Sequence, residues 1–168
     1  MTRYLVTAFA ILAIASAVVA DESDPDLPRL LAKQGFTTVN MARSSAGHFE
    51  VFVQLDGRNM RLLVDTGSDT TVFDVSLMKK LNYRLQEAMV GHGLGGTLEA
   101  KTAVIQNLRI GNCNMGPTIV HCFTLEHVNQ PRRDHNLPTV DGILGMDLLT
   151  KHGAIIDVAR SVLLLRNQ

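Results

Sequence analysis

The residue with the clearest potential for chemistry is Asp65, which follows the apolar residues 62–64 and precedes Thr66 and Gly67. A carboxylate at the end of an apolar strand is partly buried and can draw a proton from an attacking water molecule. The Thr66 hydroxyl can brace the loop, and Gly67 allows the backbone to approach its partner closely. The same three residue types also begin ordinary turns, so the triplet by itself leaves a purely structural role open.

The elements that must position Asp65 form a predicted hairpin. Apolar side chains alternate along residues 49–55, which is the period of a β-strand. Asp56 and Gly57 are a strong hairpin signal between this strand and a second one at residues 60–64. Asp65 therefore directly follows the second strand of the hairpin.

Most of the remaining chain is predicted to form short β-strands separated by turns. The strands are predicted at residues 36–41, 98–104, 108–110, 118–123, 154–158 and 162–165. Two short helices are predicted at residues 75–81 and 146–152, the second of them ended by Gly153. Residues 130–138 are polar and basic with prolines at either side, which predicts a surface loop. The pattern indicates a mostly-β domain with a short helix near the C-terminus.

Two segments of the chain resemble the signatures of retropepsin-like aspartic peptidases. Residues 62–73 resemble the active-site loop of that family, in which Asp-Thr-Gly-Ser or Asp-Thr-Gly-Ala follows an apolar strand. Residues 142–149 resemble its second signature, in which two apolar residues and a glycine thread through the loop; here they are Ile143, Leu144 and Gly145. Residues 153–157 and 163–165 match the closing strands of the bacterial single-domain members, so the similarity extends from about residue 48 to 165.

This resemblance implies a fold and a catalytic group. The implied fold is a closed acid-peptidase β-barrel, and the implied activity is hydrolysis of peptide bonds without a cofactor or a metal ion. Asp65 would be the catalytic carboxylate, and Thr66, Gly67 and Ser68 would complete the active-site loop. Ser68 can hydrogen-bond either the carboxylate or the local backbone.

The chain contains a single Asp-Thr-Gly triplet, whereas the implied chemistry needs two carboxylates that share one proton. The resemblance therefore implies a homodimer in which Asp65 of each subunit meets on the two-fold axis. Asp147, in the second signature, is expected to be structural. In viral members the residue matching Asp69 pairs with an arginine where this chain has Met146, so that pair is expected to be absent. A catalytically silent peptide-binding module and a structural envelope adaptor are the alternatives that the same fold allows.

The glycine-rich residues 91–96 have two interpretations. They satisfy the G-x-G-x-x-G dinucleotide fingerprint literally, but that site also needs a following helix and an acidic residue about 20 positions later, where this chain has none. In the retropepsin-like family the same position holds the flap, a hairpin that closes over an extended peptide. Gly93, Leu94, Gly95 and Gly96 are accordingly predicted to form a substrate-binding flap.

Cys113 and Cys122 are the two cysteines of the chain. In an oxidising compartment, and on facing strands of a hairpin, they are predicted to form a disulfide. Two free thiols are the first alternative. A zinc site that adds histidines such as His121, His127 and His135 is the least favoured, because the spacing matches no usual ligand pattern.

The N-terminal segment of the chain predicts export. Residues 1–20 carry Arg3, an apolar stretch and a small residue at position 20, as in a secretory signal peptide. Residues 21–35 are predicted to be a lead, and residues 36–168 the peptidase domain. We expect a periplasmic or secreted protein, bound to the membrane only if the apolar segment is not cleaved. With 16 basic and 16 acidic residues and no basic run, the chain is not expected to bind nucleic acid.

Overall fold

The computed structural model describes residues 26–87, 91–93, 96–98 and 100–167. Most of these residues lie in short β-strands, and short helices connect or flank them. The helices are α1 (Asp26–Ala32), α2 (Val75–Lys80), α3 (Glu126–Asp134) and α4 (Met146–Lys151). The strands are β1 (Phe36–Asn40), β2 (Ala42–Arg43), β3 (Phe49–Leu55), β4 (Arg58–Val64), β5 (Val72–Asp74), β6 (Gln86–Glu87), β7 (Gly91–Gly93), β8 (Gly96–Leu98), β9 (Lys101–Ile105), β10 (Leu108–Ile110), β11 (Cys113–Asn114), β12 (Thr118–Phe123), β13 (Gly142–Leu144), β14 (Ile155–Asp157) and β15 (Val162–Arg166).

The strands form one large sheet and two small ones. The large sheet has the order β11-β10-β3-β4-β13-β5-β12-β9-β6, with β2 added to β3; the small sheets are β1-β15-β14 and β7-β8. The prediction of a mostly-β fold is confirmed, but the prediction of a closed barrel is wrong for the described part of the chain, where β11 and β6 end the sheet without meeting. β11 has two residues, and β6 has two within the described ranges, which is too few for the continuous ladder that closure requires.

The predicted hairpin that leads to Asp65 is confirmed. β3 and β4 pair antiparallel and are joined by Asp56 and Gly57, whose φ angles of 46° and 80° are the positive values that a tight hairpin turn requires. Alternate residues of β3, including Val51 and Val53, point into the core, whereas Phe52 points to the outside. The two-residue period therefore places one face of the hairpin in the hydrophobic core.

Helix α3 contradicts the predicted surface loop at residues 130–138. It runs from Glu126 to Asp134 with Pro131 inside it, and Arg132 is buried. Proline in a helix interior removes a hydrogen bond, so local propensity disfavours this helix. Tertiary contacts hold it: the Asn129 amide donates to the Val140 carbonyl and accepts from the Val140 N–H, both at 2.9 Å.

The C-terminal elements follow the prediction closely. α4 ends at Lys151, and the φ of 51° at Gly153 allows the N–H groups of Gly153 and Ala154 to bond carbonyls of the last turn. β14 and β15 then close the chain as an antiparallel pair, and β1 pairs with β15. Within the described ranges no helix is long and apolar enough to cross a membrane. The predicted signal peptide lies outside the described residues, and the predicted domain boundaries stay predictions.

Candidate active site

Strand β13 lies between β4 and β5 and is central to the candidate site. It runs parallel to β4, with Leu144 opposite Val64, and antiparallel to β5, with Gly142 opposite Phe73. The chain that connects β4 to β5, residues 65–71, therefore passes over the end of β13. The Asp65 N–H continues the ladder by donating to the Leu144 carbonyl at 3.1 Å. Asp65 thus lies at the end of β4 beside the second signature, as the sequence predicted.

The glycines at either end of β13 permit this close packing. A Cβ atom on Gly145 would lie 2.4 Å from the carbonyl carbon and oxygen of Thr70, and one on Gly142 would lie 2.4 Å from the Val72 carbonyl oxygen. These contacts are to backbone atoms, which cannot rotate away. The second signature therefore threads through the loop only with glycine at both positions.

The carboxylate of Asp65 is half-buried and is held by the loop that follows it. Its Oδ1 atom accepts the Gly67 N–H at 2.8 Å, while Thr66 and Gly67 are exposed. Ser68 does not donate to this carboxylate; its hydroxyl donates to the Thr70 carbonyl at 2.8 Å. Of the two roles considered for Ser68, the structure favours the bracing of local backbone.

Thr71 and Asp147 fasten the loop to the start of α4. The Thr71 hydroxyl donates to Asp147 Oδ1 at 2.7 Å and accepts the Gly145 N–H at 3.1 Å. The same Asp147 oxygen accepts the Leu148 N–H at 2.7 Å, so this carboxylate joins the loop to the first turn of α4. Sequence reasoning missed Thr71, which is fully buried; a hydroxyl residue at the entry to an apolar strand was the available signal.

The surface beside the loop contains a hollow of about 360 Å³, here called the Thr66 hollow, between Thr66, α4 and β14. Met146 and Ile156 contribute to its wall. Asp69 is exposed, and its carbonyl accepts the Asp147 N–H at 3.1 Å. Position 146 is methionine, so this chain has no arginine there to pair with Asp69.

The predicted flap is a hairpin in its described part. β7 and β8 pair antiparallel with Gly93 opposite Gly96, while Leu94 and Gly95 lie outside the described residues. After the glycines the described chain continues into β8 and β9. A dinucleotide fingerprint needs a helix at this point, so the structure disfavours that interpretation.

The predicted disulfide between Cys113 and Cys122 is wrong: both are free and buried. The strands that were expected to face each other do not pair, because β11 pairs with β10 whereas β12 pairs with β5 and β9. Burial, and next the charge of Asp74, raise the pKa of Cys122 to about 11. Cys113 Sγ lies 3.5 Å from Nδ1 of the buried His152. Across the described ranges, no group of three His, Cys, Asp or Glu side chains is arranged to hold a metal ion.

Comparisons with known proteins agree with this geometry. A family model described as aspartyl protease matches residues 51–148, which is more than half of the chain. A retropepsin-like aspartic protease from Rickettsia conorii has a similar structure, with a TM-score of 0.57 at 20% identity over 79% of this chain and 92% of that one. The EIAV protease in complex with an inhibitor is similar with a TM-score of 0.50 at 19% identity, over 69% of this chain and 98% of that one. The curated proteins gave no significant match. The fold is therefore retropepsin-like.

Proposed function

Because the chain belongs to the aspartyl protease family, we propose that it is an aspartic endopeptidase in which Asp65 of two identical subunits forms the catalytic dyad. The observation that carries the proposal is the loop itself. β13 passes between β4 and β5 and presents the Asp65 carboxylate, half-buried, at a strand end. The exposed Thr66 and Gly67 beside it leave room for a second copy of the loop.

Two such carboxylates perform the hydrolysis together. One draws a proton from the attacking water, and the other protonates the carbonyl oxygen of the scissile bond. At about 3 Å and an effective dielectric constant near 20, two full negative charges repel by roughly 5 kcal/mol, so the pair holds one proton. The hydrogen bond from the Gly67 N–H to Asp65 Oδ1 orients the carboxylate for this exchange.

The surface next to the loop supports a homodimer. β14 is the edge of its three-stranded sheet, and an unpaired strand edge is a ready template for another chain. Ile155 and Val158, in and after β14, are exposed, as is Met146 on the wall of the Thr66 hollow. A second copy placed here would cover these apolar side chains and bring its own Asp65 towards the first.

The test is peptide cleavage by residues 21–168 across pH 3 to 7, beside the variants Asp65→Asn and Asp69→Asn. Asp69 is the matched control, because it is an exposed carboxylate four residues away in the same loop. We expect Asp65→Asn to abolish cleavage and Asp69→Asn to retain it, with a rate that rises more than linearly with protein concentration. Cleavage by Asp65→Asn at the wild-type rate would overturn the proposal. Peptide binding without cleavage at any concentration would instead support the silent binding module.

Export is part of the same proposal and rests on residues 1–20. Expression of the full chain should give a mature protein that begins at Asp21, which intact-mass measurement detects. A protein that retains residues 1–20 in the membrane fraction would show that the segment is an anchor.

A further inference from the structure

A second hollow, of about 330 Å³, lies between α3, β4 and the segment that leads into β3; it is called the α3 pocket below. Its apolar wall includes Leu63, Val128 and Leu137. Three histidines, His48, His127 and His135, also line it, and all three are exposed. No step of the proposed hydrolysis uses this pocket.

The α3 pocket opens on the same face of β4 as the Asp65 carboxylate. Side chains alternate along a strand, and Leu62 is buried in the main core, so Leu63 points to the opposite face. The Asp65 N–H continues the ladder by donating to the Leu144 carbonyl, so the same alternation is expected to place the Asp65 side chain on the face of Leu63. Residues two apart on a strand are separated by about 7 Å, so the pocket begins one side-chain position from the carboxylate.

Helix α3 covers this face and is firmly attached to it. Leu63 and Val128 pack against the buried cluster of Val72, Leu125 and Ile143. The His127 ring is stacked on Phe123, with ring centroids 6.4 Å apart. This part of the pocket wall, formed by Leu63, Val128 and His127, is thus held in place before any ligand arrives.

The residues that line the α3 pocket include three imidazoles and no carboxylate. The Arg132 guanidinium at the pocket wall is already bonded to the buried Glu50 and to the Pro138 carbonyl. On the other positions of α3, Glu126 pairs with Arg133, and the Asp134 carboxylate accepts from the Gln130 amide. β4 contributes only the apolar Leu63 to the lining.

We propose that the α3 pocket is a substrate side-chain subsite that selects an acidic residue close to the scissile bond. The apolar wall would bury the aliphatic stem of a glutamate, and His48, His127 and His135 would pair with its carboxylate. This inference rests on the proposed function, because it takes the bound peptide to be the substrate of Asp65. A protonated imidazole attracts a glutamate carboxylate, so the preference for glutamate is expected to weaken as the pH rises.

The test compares matched peptides that differ only in one residue next to the cleaved bond, Glu, Gln or Lys, at pH 5.0 and pH 7.5. The glutamate of the free peptide is largely ionised at both pH values. We expect kcat/KM for the Glu peptide to exceed that for the Gln peptide by about fivefold at pH 5.0, and the Lys peptide to be poorest. The Glu-to-Gln ratio should approach one at pH 7.5. It should also approach one at pH 5.0 in the triple variant His48→Gln, His127→Gln, His135→Gln.

Arg133→Gln is the matched control, because it removes a positive charge from α3 outside the pocket lining. It should keep the wild-type ratio. A triple variant that keeps the wild-type ratio would overturn the proposal, and so would a wild-type protein that does not distinguish Glu from Gln.

Binding of the same labelled peptides to Asp65→Asn, followed by fluorescence anisotropy, separates this inference from the proposed function. If no peptide is cleaved, a preference for the Glu peptide that disappears in the triple variant on the Asp65→Asn background still supports the subsite. Equal binding of the Glu and Gln peptides would refute it, whatever the outcome for catalysis.

Discussion

Replacement of Arg132 by leucine should destabilise the domain by about 3 kcal/mol. The Arg132 side chain is 7% exposed, and it donates to the carboxylate of Glu50, whose side chain is 2% exposed. Its Nε also donates to the Pro138 carbonyl at 2.7 Å. The substitution would leave Glu50 with Arg61 alone, at 2.7 Å.

The magnitude follows from the burial of both partners. Removal of one partner from a buried ion pair costs about 3–5 kcal/mol, because the remaining charge is left in a medium of low dielectric constant. Arg61 still neutralises Glu50 and is itself partly exposed, so we expect the lower end of that range. With a urea slope of about 2 kcal/mol per molar, the unfolding midpoint should fall by roughly 1.5 M.

The assay is urea unfolding at one fixed protein concentration, since a dimer gains stability with concentration. Arg133→Leu is the control: this neighbouring arginine is 43% exposed and pairs with the exposed Glu126, so its loss should cost less than about 1 kcal/mol. The double variant Glu50→Leu, Arg132→Leu should recover most of the loss, because an apolar pair often replaces a buried ion pair without cost. Equal midpoints for Arg132→Leu and Arg133→Leu would refute the reasoning.

Three further perturbations test the loop, a turn and the thiols. Gly145→Ala should lower the free energy of unfolding by more than about 3 kcal/mol or prevent folding, because the added Cβ would lie 2.4 Å from the backbone of the loop. Thermal unfolding measures this loss, and an unchanged Tm would contradict the close packing. Hydrogen bonds from the backbone and then the side chain of Arg160 hold the pKa of Asp157 below its usual value. The stability that this carboxylate contributes is therefore present above the unfolded pKa near 4 and lost as the pH falls through the lower folded pKa. The difference in Tm between wild type and Asp157→Asn should shrink to nothing over that acidic range, and a difference that persists at pH 2 would exclude this origin. Burial raises the pKa of Cys113 and of Cys122, so neither thiol should react with a thiol reagent at pH 8 in the folded protein. Both thiols should react in urea. If no thiol reacts in urea without reductant, the two cysteines form a disulfide after all.

The parts of the fold that the sequence predicted are those in which local pattern and tertiary structure agree. The alternation along β3 and the positive-φ pair Asp56 and Gly57 determine the hairpin from neighbouring residues alone. The end of α4 just before Gly153 is equally local. Threading of β13 between β4 and β5 is not local, and it was predicted only because the residue pattern resembles a family in which the two segments meet.

The errors arose where pairing partners decide the structure. Cys113 and Cys122 are close enough in sequence for a hairpin, but β12 pairs instead with β5, whose paired residues lie 49 positions earlier in the chain, and with β9. Nothing in residues 113–122 indicates that choice. Closure of the sheet into a barrel likewise depends on the length of its edge strands, which the pattern of short apolar segments does not determine.

Helix α3 was missed because its stability comes from polar anchors rather than from a hydrophobic stripe. Asn129 is bonded to the backbone of Val140, and Arg132 to Glu50 and to Pro138. These partners lie at sequence separations from 6 to 82 residues, so residues 126–134 taken alone show a single apolar residue, Val128, among polar residues and a proline. The pairing of Arg132 with Glu50 of β3 becomes visible only once the chain is folded.

The candidate catalytic loop and the wall of the α3 pocket are held in place by different kinds of contact. The loop depends on Gly142 and Gly145, because a Cβ atom added at either position would lie 2.4 Å from backbone atoms. The α3 wall depends instead on side-chain anchors such as Arg132, which a substitution can remove while the backbone of the loop stays in register. If the α3 pocket selects the substrate, Arg132→Leu should lower the Glu-to-Gln ratio of kcat/KM. The rate at which the Gln peptide is cleaved should fall by a smaller factor. An equal loss in the cleavage rates of the Glu and Gln peptides, measured at a urea concentration where the variant is fully folded, would show that loop and pocket depend on the same contacts.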